Sequence, residues 1–177
     1  DFDLENNGRV DILAGSSVDK TVRWFRNTGD EVFSPNVLIS NADQFRDLAF
    51  GDIDNDGDND VIVTSVGDDR VRLLKNNGFL EFTASTIIGS LNNPNSITLA
   101  DINGDSFLDI VITSYNDNDV TLLQNKKDGT FETILIDGNA SGPIYSTVAD
   151  LNSQKEGLEI VVASYVGNAM FYYEFDG

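Results

Sequence analysis

Cysteine and histidine are missing from all 177 residues. Their absence excludes cysteine nucleophiles, histidine general bases and the usual zinc ligands. It also removes the disulfide argument for secretion. Cations are scarce: 11 Lys and Arg stand against 30 Asp and Glu, for a formal charge of -19. Gripping nucleic-acid phosphates needs a basic surface, so nucleic acid is set aside as a partner, and anionic membranes are disfavoured. No apolar run approaches the ~20 residues of a membrane span, which sets aside membrane insertion. No convincing helical period occurs either. The chain starts at Asp1 with neither Met nor a signal-peptide pattern, and is expected to be a mature piece or fragment of a longer protein.

What remains is enough for one domain with a sizeable core: 40% of residues are apolar, too many for a disordered acidic tail. The acids are not scattered. In Asp52-Ile53-Asp54-Asn55-Asp56-Gly57-Asp58-Asn59-Asp60 three carboxylates stand on alternate residues, a glycine follows, and a further acid closes the run before Val61-Ile62-Val63. Similar segments open at Asp3, Asp101 and Asp150, a constant interval of 49 residues. Phe33, Phe82 and Phe131 keep that interval, as do Val22, Val71 and Val120, and Asn27, Asn76 and Asn125. The fourth copy carries one extra residue, so its later columns fall one position on, at Met170 and Tyr172.

Each copy reads as short strands between turns. In the second, these are 46–51 leading into the acidic loop, then 60–65, 70–75 and 82–88, with Gly67-Asp68-Asp69 and Asn76-Asn77-Gly78 as turns. Four short strands per ~50 residues is the signature of a propeller blade. The second strands (Ile12-Leu13-Ala14, Val61-Ile62-Val63, Ile110-Val111-Ile112, Ile160-Val161-Val162) are apolar without alternation, as expected of strands covered on both faces by stacked blades. The fold class is therefore all-β: propeller blades of four antiparallel strands. The division expected is a partial blade at 1–45, blades at 46–94 and 95–143, and a partial blade at 144–177. A larger ring of about seven blades is expected, with further blades from the same or another chain. The alternative is a small ring in which the incomplete last unit borrows a strand from the incomplete first.

The acidic loops have the chemistry of hard-cation sites. Calcium takes six to eight oxygen ligands, and side chains on alternate residues of a tight loop converge on one point. Glycine at the sixth position allows a sharp turn, the seventh carbonyl faces inward, and a ninth-position acid closes the shell. The ligands expected are Asp52, Asp54, Asp56 and Asp60 with the Asp58 carbonyl in the second copy. In the first they are Asp3, Glu5, Asn7 and Asp11 with the Arg9 carbonyl. In the third they are Asp101, Asn103, Asp105 and Asp109 with the Phe107 carbonyl, Ser106 replacing the turn glycine. About three Ca2+ sites are expected. The fourth loop has Asp150, Asn152 and Gln154 but its closing acid is displaced to Glu159, which weakens or abolishes binding. Asp, Asn and Gly also make good hairpin turns with no ion. Magnesium suits these loops less, because it keeps its waters and needs a stricter octahedron.

The pattern D-x-D-x-D-G-x-x-D, followed by an aliphatic strand and repeated along nearly the whole chain, resembles the FG-GAP/VCBS repeats of integrin-alpha-like β-propellers. Phe50-Gly51 precedes one loop and matches the "FG" half of the name; the "GAP" half is not present. The resemblance implies a secreted or cell-surface protein, calcium ions bracing the loop between the first and second strands of each blade, and a protein or glycan ligand on a propeller face, as in adhesion. Such propellers serve adhesins, lectins and lyase-type enzymes alike, so membership alone does not set function.

Other residues offer weaker signals. Trp24, Phe25, Tyr172 and Tyr173 would make a sugar-stacking platform, but they share columns with Leu73, Leu74, Leu122 and Leu123 and are read as core. Tyr115 and Tyr165 share a column at the end of the second strand and are better contact candidates, which supports a lectin-type alternative. Asn139-Ala140-Ser141 is a glycosylation sequon. Lys20, Arg23 and Arg26 read as a solvated strand edge. Paired carboxylates can hydrolyse glycosides, but nearly every clustered acid follows a repeat column, whereas catalytic residues should break one. The chain is expected not to be an enzyme, and any lyase or hydrolase site to lie elsewhere in a longer protein.

Overall fold

The turn residues cut the chain into short extended runs, and the computed structural model shows these as strands, with no helix among the described residues (2–5, 7–79, 81–151 and 157–175). The strands form four antiparallel sheets in chain order. The first contains β1 (Ile12–Ser16), β2 (Thr21–Gly29) and β3 (Val32–Ile39). The second contains β4 (Phe45–Gly51), β5 (Asp60–Ser65), β6 (Arg70–Asn76) and β7 (Phe82–Ile88). The third contains β8 (Pro94–Ala100), β9 (Asp109–Ser114), β10 (Asp119–Asn125) and β11 (Phe131–Asp137). The fourth contains β12 (Pro143–Ala149), β13 (Glu159–Ser164) and β14 (Ala169–Glu174). Each sheet is a meander in which every strand pairs with its sequence neighbour, as short connections require.

The apolar runs of the second strands hide an alternation that the packing reveals. In β5, Val61 and Val63 join a core cluster with Leu4, Val22 and Trp24 of the first repeat, while Ile62, between them, joins Ile97, Ile110 and Ile112 of the third. In β9, Ile110 and Ile112 face back to the second sheet, and Val111 joins Ile160 and Val162 of the fourth. One residue in two serves each neighbour, as the pleat dictates. Three core clusters therefore lie between four stacked sheets, and none of them joins the first sheet to the fourth.

The two terminal sheets depart from the expectation of full burial. Ile12 is 49% exposed and Tyr172 66%, although their columns are buried in the middle of the stack. No further sheet covers those faces among the described residues, so side chains with core character lie open. Tyr172 is thus a correction to the core reading, whereas Trp24 is buried as expected. Strand sharing between the ends is also not seen. The first and last sheets contain only their own three strands and are separated by two complete sheets.

Strands β4, β8 and β12 are the innermost of their sheets and touch one another side by side. They are joined not by a ladder but by side chains. Arg46 Nε donates to Asn95 Oδ1 (2.6 Å), Ile97 N–H to Asp47 Oδ2 (2.9 Å), and Thr98 Oγ1 to the Ser146 carbonyl (2.8 Å). Burial pushes the Asp47 carboxyl up, against the Ile97 and Leu48 N–H groups and the Arg46 charge, which pull it down.

If the stack is what holds the chain together, truncation should cost far more between two sheets than at its end. Ile62→Ala is expected to lower stability by about 2–5 kcal/mol, and Ile12→Ala by less than about 1 kcal/mol. Urea denaturation of both variants checks this; equal losses would contradict the arrangement.

Candidate functional site

The first acidic loop runs straight into β1; each later one leaves an innermost strand and is closed by the last rung of its ladder. That rung is Gly51 opposite Asp60 in the second sheet and Ala100 opposite Asp109 in the third. The loops therefore all emerge at one end of the stack. The same internal bonds recur in three of them. The first-position carboxylate accepts the N–H groups of the fifth and sixth residues: Asp3 from Asn7 (3.1 Å) and Gly8 (2.6 Å), Asp52 from Asp56 (3.1 Å) and Gly57 (2.9 Å), Asp101 from Asp105 (2.9 Å) and Ser106 (2.7 Å). The fifth side chain then accepts from the seventh N–H: Asn7 from Arg9, Asp56 from Asp58, Asp105 from Phe107.

The sixth residue is left-handed throughout, with φ of 79° at Gly8, 95° at Gly57 and 71° at Ser106. A side chain at Gly57 would meet no neighbouring atom, so the demand for glycine is one of backbone conformation alone. Ser106 accepts the left-handed conformation at a cost of about 1 kcal/mol. Gly104 serves a second left-handed position, held in the second loop by Asn55.

The ninth-position acids do something else. Asp11, Asp60 and Asp109 are buried. One oxygen of each accepts the second-position N–H, from Leu4 (3.1 Å), Ile53 (3.2 Å) and Ile102 (3.1 Å). The other accepts the N–H of the repeated asparagine at the far end of the third strand: Asn27 (2.7 Å), Asn76 (2.8 Å) and Asn125 (2.8 Å). Those asparagines return a bond, their side-chain amides donating to the carbonyls of Val10, Asn59 and Leu108. Sequence reading found this column without finding its role, because its partner lies 16 residues away across a hairpin.

Electrostatics distinguish the loops. In the second, Asp52, Asp54 and Asp60 each bring a carboxylate oxygen within 4.8 Å of the others, the one such group among the described residues. The corresponding acids of the first and third loops are not gathered so closely. Burial, opposed by the Asn76 and Ile53 N–H groups and reinforced by Asp54 and Asp56, pushes the Asp60 carboxyl up to about 6. Ionising Asp60 therefore opposes folding. Its contribution to stability is full below the ordinary 3.8 and is lost as pH rises through about 6, unless a cation offsets it. Burial likewise raises Asp109. Asp105 goes the other way: burial is outweighed by bonds from the Phe107 N–H, the Asn103 amide and Lys127.

Each of the first three loops also receives a basic side chain that sequence reading did not assign to it. The Lys75 ammonium bonds Asp54 and lies 3.7 Å from Asp56. Arg26 holds Glu5 at 2.5 Å and keeps much of its side chain in solvent, but β2 is the central strand of its sheet, which corrects the edge reading, and Lys127 reaches Asp105 at 3.3 Å. Even with Lys75 in place, Oδ1 of Asp54 is buried without a hydrogen-bond partner. An all-oxygen cluster with a buried, unused carboxylate oxygen fits a hard divalent cation. In the fourth loop Glu159 accepts the Leu151 N–H (2.8 Å), the bond made elsewhere by the closing aspartate. Asn152 and Gln154 lie outside the described residues.

Comparison with known proteins now separates family from fold. The FG-GAP-like repeat profile matches residues 3–63 and again 52–112, each match running from the start of one acidic loop into the second strand of the next unit. The chain belongs to the FG-GAP-like repeat family. No curated protein sequence matches it. Among solved structures it is similar to nidogen, from a nidogen–laminin complex, at 19% identity and a TM-score of 0.58, over 94% of this chain and 61% of that one. It is also similar to a lectin of Agrocybe aegerita described as recognising non-reducing terminal N-acetylglucosamine. There the identity is 22% and the TM-score 0.57, over 86% of this chain and 46% of the lectin. The chain thus spans less than two thirds of either structure. At these identities the likeness shows the fold, which is β-propeller-like, and the sheets are called blades from here on.

If the closing acid is a structural clamp, removing it strands two buried N–H groups. Asp109→Ala is expected to cost about 2–4 kcal/mol in chelator, read by urea denaturation. The amides of Ile102 and Asn125 should lose their hydrogen-exchange protection first; unchanged protection there would contradict the clamp.

Proposed function

We propose that the chain is a calcium-binding β-propeller module of a secreted or surface protein, acting in adhesion or ligand binding and not in catalysis. The observation that carries the reading is the cluster of Asp52, Asp54 and Asp60 with its buried, unpartnered Asp54 oxygen. In the second loop Asp52, Asp54, Asp56 and Asp60 with the Asp58 carbonyl would hold the ion, and the matching residues of the first and third loops would do so with fewer charges. The ion supplies positive charge where carboxylates repel, so its binding free energy adds to folding stability. In this reading the loops would stand at one end of a ring of about seven blades, completed by further copies of the 49-residue unit.

Lys75 has a defined part in this reading. Its ammonium neutralises the loop when no divalent ion is bound and must give way when one binds. A second reading, a lectin-type propeller, is favoured by one feature: Tyr115 and Tyr165 line a common cleft at the opposite end of the stack. The two readings are compatible, since loop and cleft occupy opposite ends of the same strands.

Calcium at 100 times its dissociation constant adds about 2.7 kcal/mol, so the melting midpoint should rise by roughly 5–10 °C for a domain of this size. A midpoint unmoved between calcium and chelator would overturn the calcium reading. Lys75→Met should tighten calcium binding by roughly 3- to 10-fold in titration calorimetry, the direction expected when an internal competitor is removed; weaker binding would contradict the competition.

A further inference from the structure

The end of the stack away from the acidic loops carries a cleft of about 640 Å³. Strand direction settles its position. Phe45 is paired opposite Ser65 at the start of β4, while the acidic loop leaves from the Gly51 end. The lining comes from all four repeats: Ser17 from the first, Gln44 to Arg46 and Val66 from the second, Asn93, Asn95 and Tyr115 from the third, Ile144 and Tyr165 from the fourth. Its size is that of a small-molecule site.

Arg46 is the one charged residue in that lining. It stands out because this protein has so many acids. Among the described lysines and arginines only Arg9 and Arg46 have no carboxylate within ion-pair distance. The neighbouring Asp47 feels the Arg46 charge but makes no ion pair with it, its oxygens accepting from the N–H groups of Leu48 and Ile97. Arg46 is nevertheless held in place. Its Nε donates to Asn95, which is buried and in turn donates to the carbonyl and side chain of Asn93. That anchoring spends one of the five guanidinium donors and leaves the terminal fork free, the group best shaped for a carboxylate.

The remaining lining suits a sugar ring. Tyr115 and Tyr165 offer aromatic faces beside Phe45, whose ring also packs on the core, and among the described residues no hydrogen bond engages the two tyrosine hydroxyls or the Gln44 amide. Tyrosines with one apolar face and one polar tip, beside a free amide, match an alternation of C–H and hydroxyl groups. We infer that this cleft binds a saccharide carrying a carboxylate, a uronic-acid oligomer, with Arg46 on the carboxylate and Tyr115 and Tyr165 against the rings.

This inference rests on the proposal that a propeller face binds ligand, and the test separates the two. The probes are galacturonate, mannuronate and glucuronate oligomers, the methyl ester of each, and a tetra-glutamate peptide, titrated calorimetrically into the calcium-loaded full chain. At least one acid oligomer is expected to bind, with its methyl ester at least 10-fold weaker. Arg46→Gln, with an unchanged melting midpoint, should abolish that difference, and Arg46→Lys should restore part of it. Tyr165→Ala should weaken acid and ester together. Added salt should weaken the acid alone. Equal binding of acid and ester overturns the carboxylate assignment while leaving a glycan-binding face intact. Binding of the peptide but no oligomer overturns the saccharide class. No binding of any probe overturns the inference, and the calcium reading is then judged by its own melting experiment.

Discussion

A buried carboxylate at the closing position of each acidic loop is the interaction on which the rest of the architecture depends. Asp11, Asp60 and Asp109 each take one N–H from the start of their loop and one from the end of the third strand. Three elements that are separate in sequence are thereby tied at one point. An acid can hold this place only because both oxygens are satisfied; left unsatisfied, its burial would oppose folding. Even so, burial leaves Asp60 with a carboxyl raised to about 6. The clamp and the proposed ion thus answer the same problem: negative charge gathered where water is excluded.

The clamp orients the loops, and the stack keeps them in line. Sheets that give alternate residues to two neighbours bury both faces without a helix. The cores between them are continuous only because each repeat presents the same columns. The innermost strands are held by side-chain bonds between near-equivalent positions of successive repeats. Their antiparallel partners send the acidic loops to one end and the turns bearing Tyr115 and Tyr165 to the other. A division of labour follows from strand direction: acidic loops brace one rim, and the opposite rim is free to vary in chemistry.

FG-GAP-like repeats account for the frame, and the frame does not choose a ligand. The lectin and the nidogen structures share the fold with this chain at identities too low to carry their binding partners across. What is particular to this protein is where the repeat is broken. Arg46, Asn95 and Ile144 occupy one column and differ from unit to unit; Ser17, Val66 and Tyr115 differ in another, where tyrosine recurs only at Tyr165. Positions that stack or clamp keep their chemistry; these two columns of the cleft change theirs.

Much of this was legible without coordinates. Strand periodicity, turn residues and the recurrence of Asp3, Asp52 and Asp101 are local properties, and local physics sets them: a left-handed turn, alternate side chains, apolar runs. The four strands expected of the second unit fall within a residue of β4 to β7. Tertiary structure decided what depends on distance. It gathered three carboxylates in the second loop but not in the first or third, and brought Lys75 and Arg26 onto acids 21 residues away. It also exposed Tyr172 and left Arg46 without an acidic partner in a chain full of acids. Charge pairing and burial fall off within a few ångströms, so they are set by which strands stand side by side. The repeat specifies the strands; only their stacking specifies the neighbours.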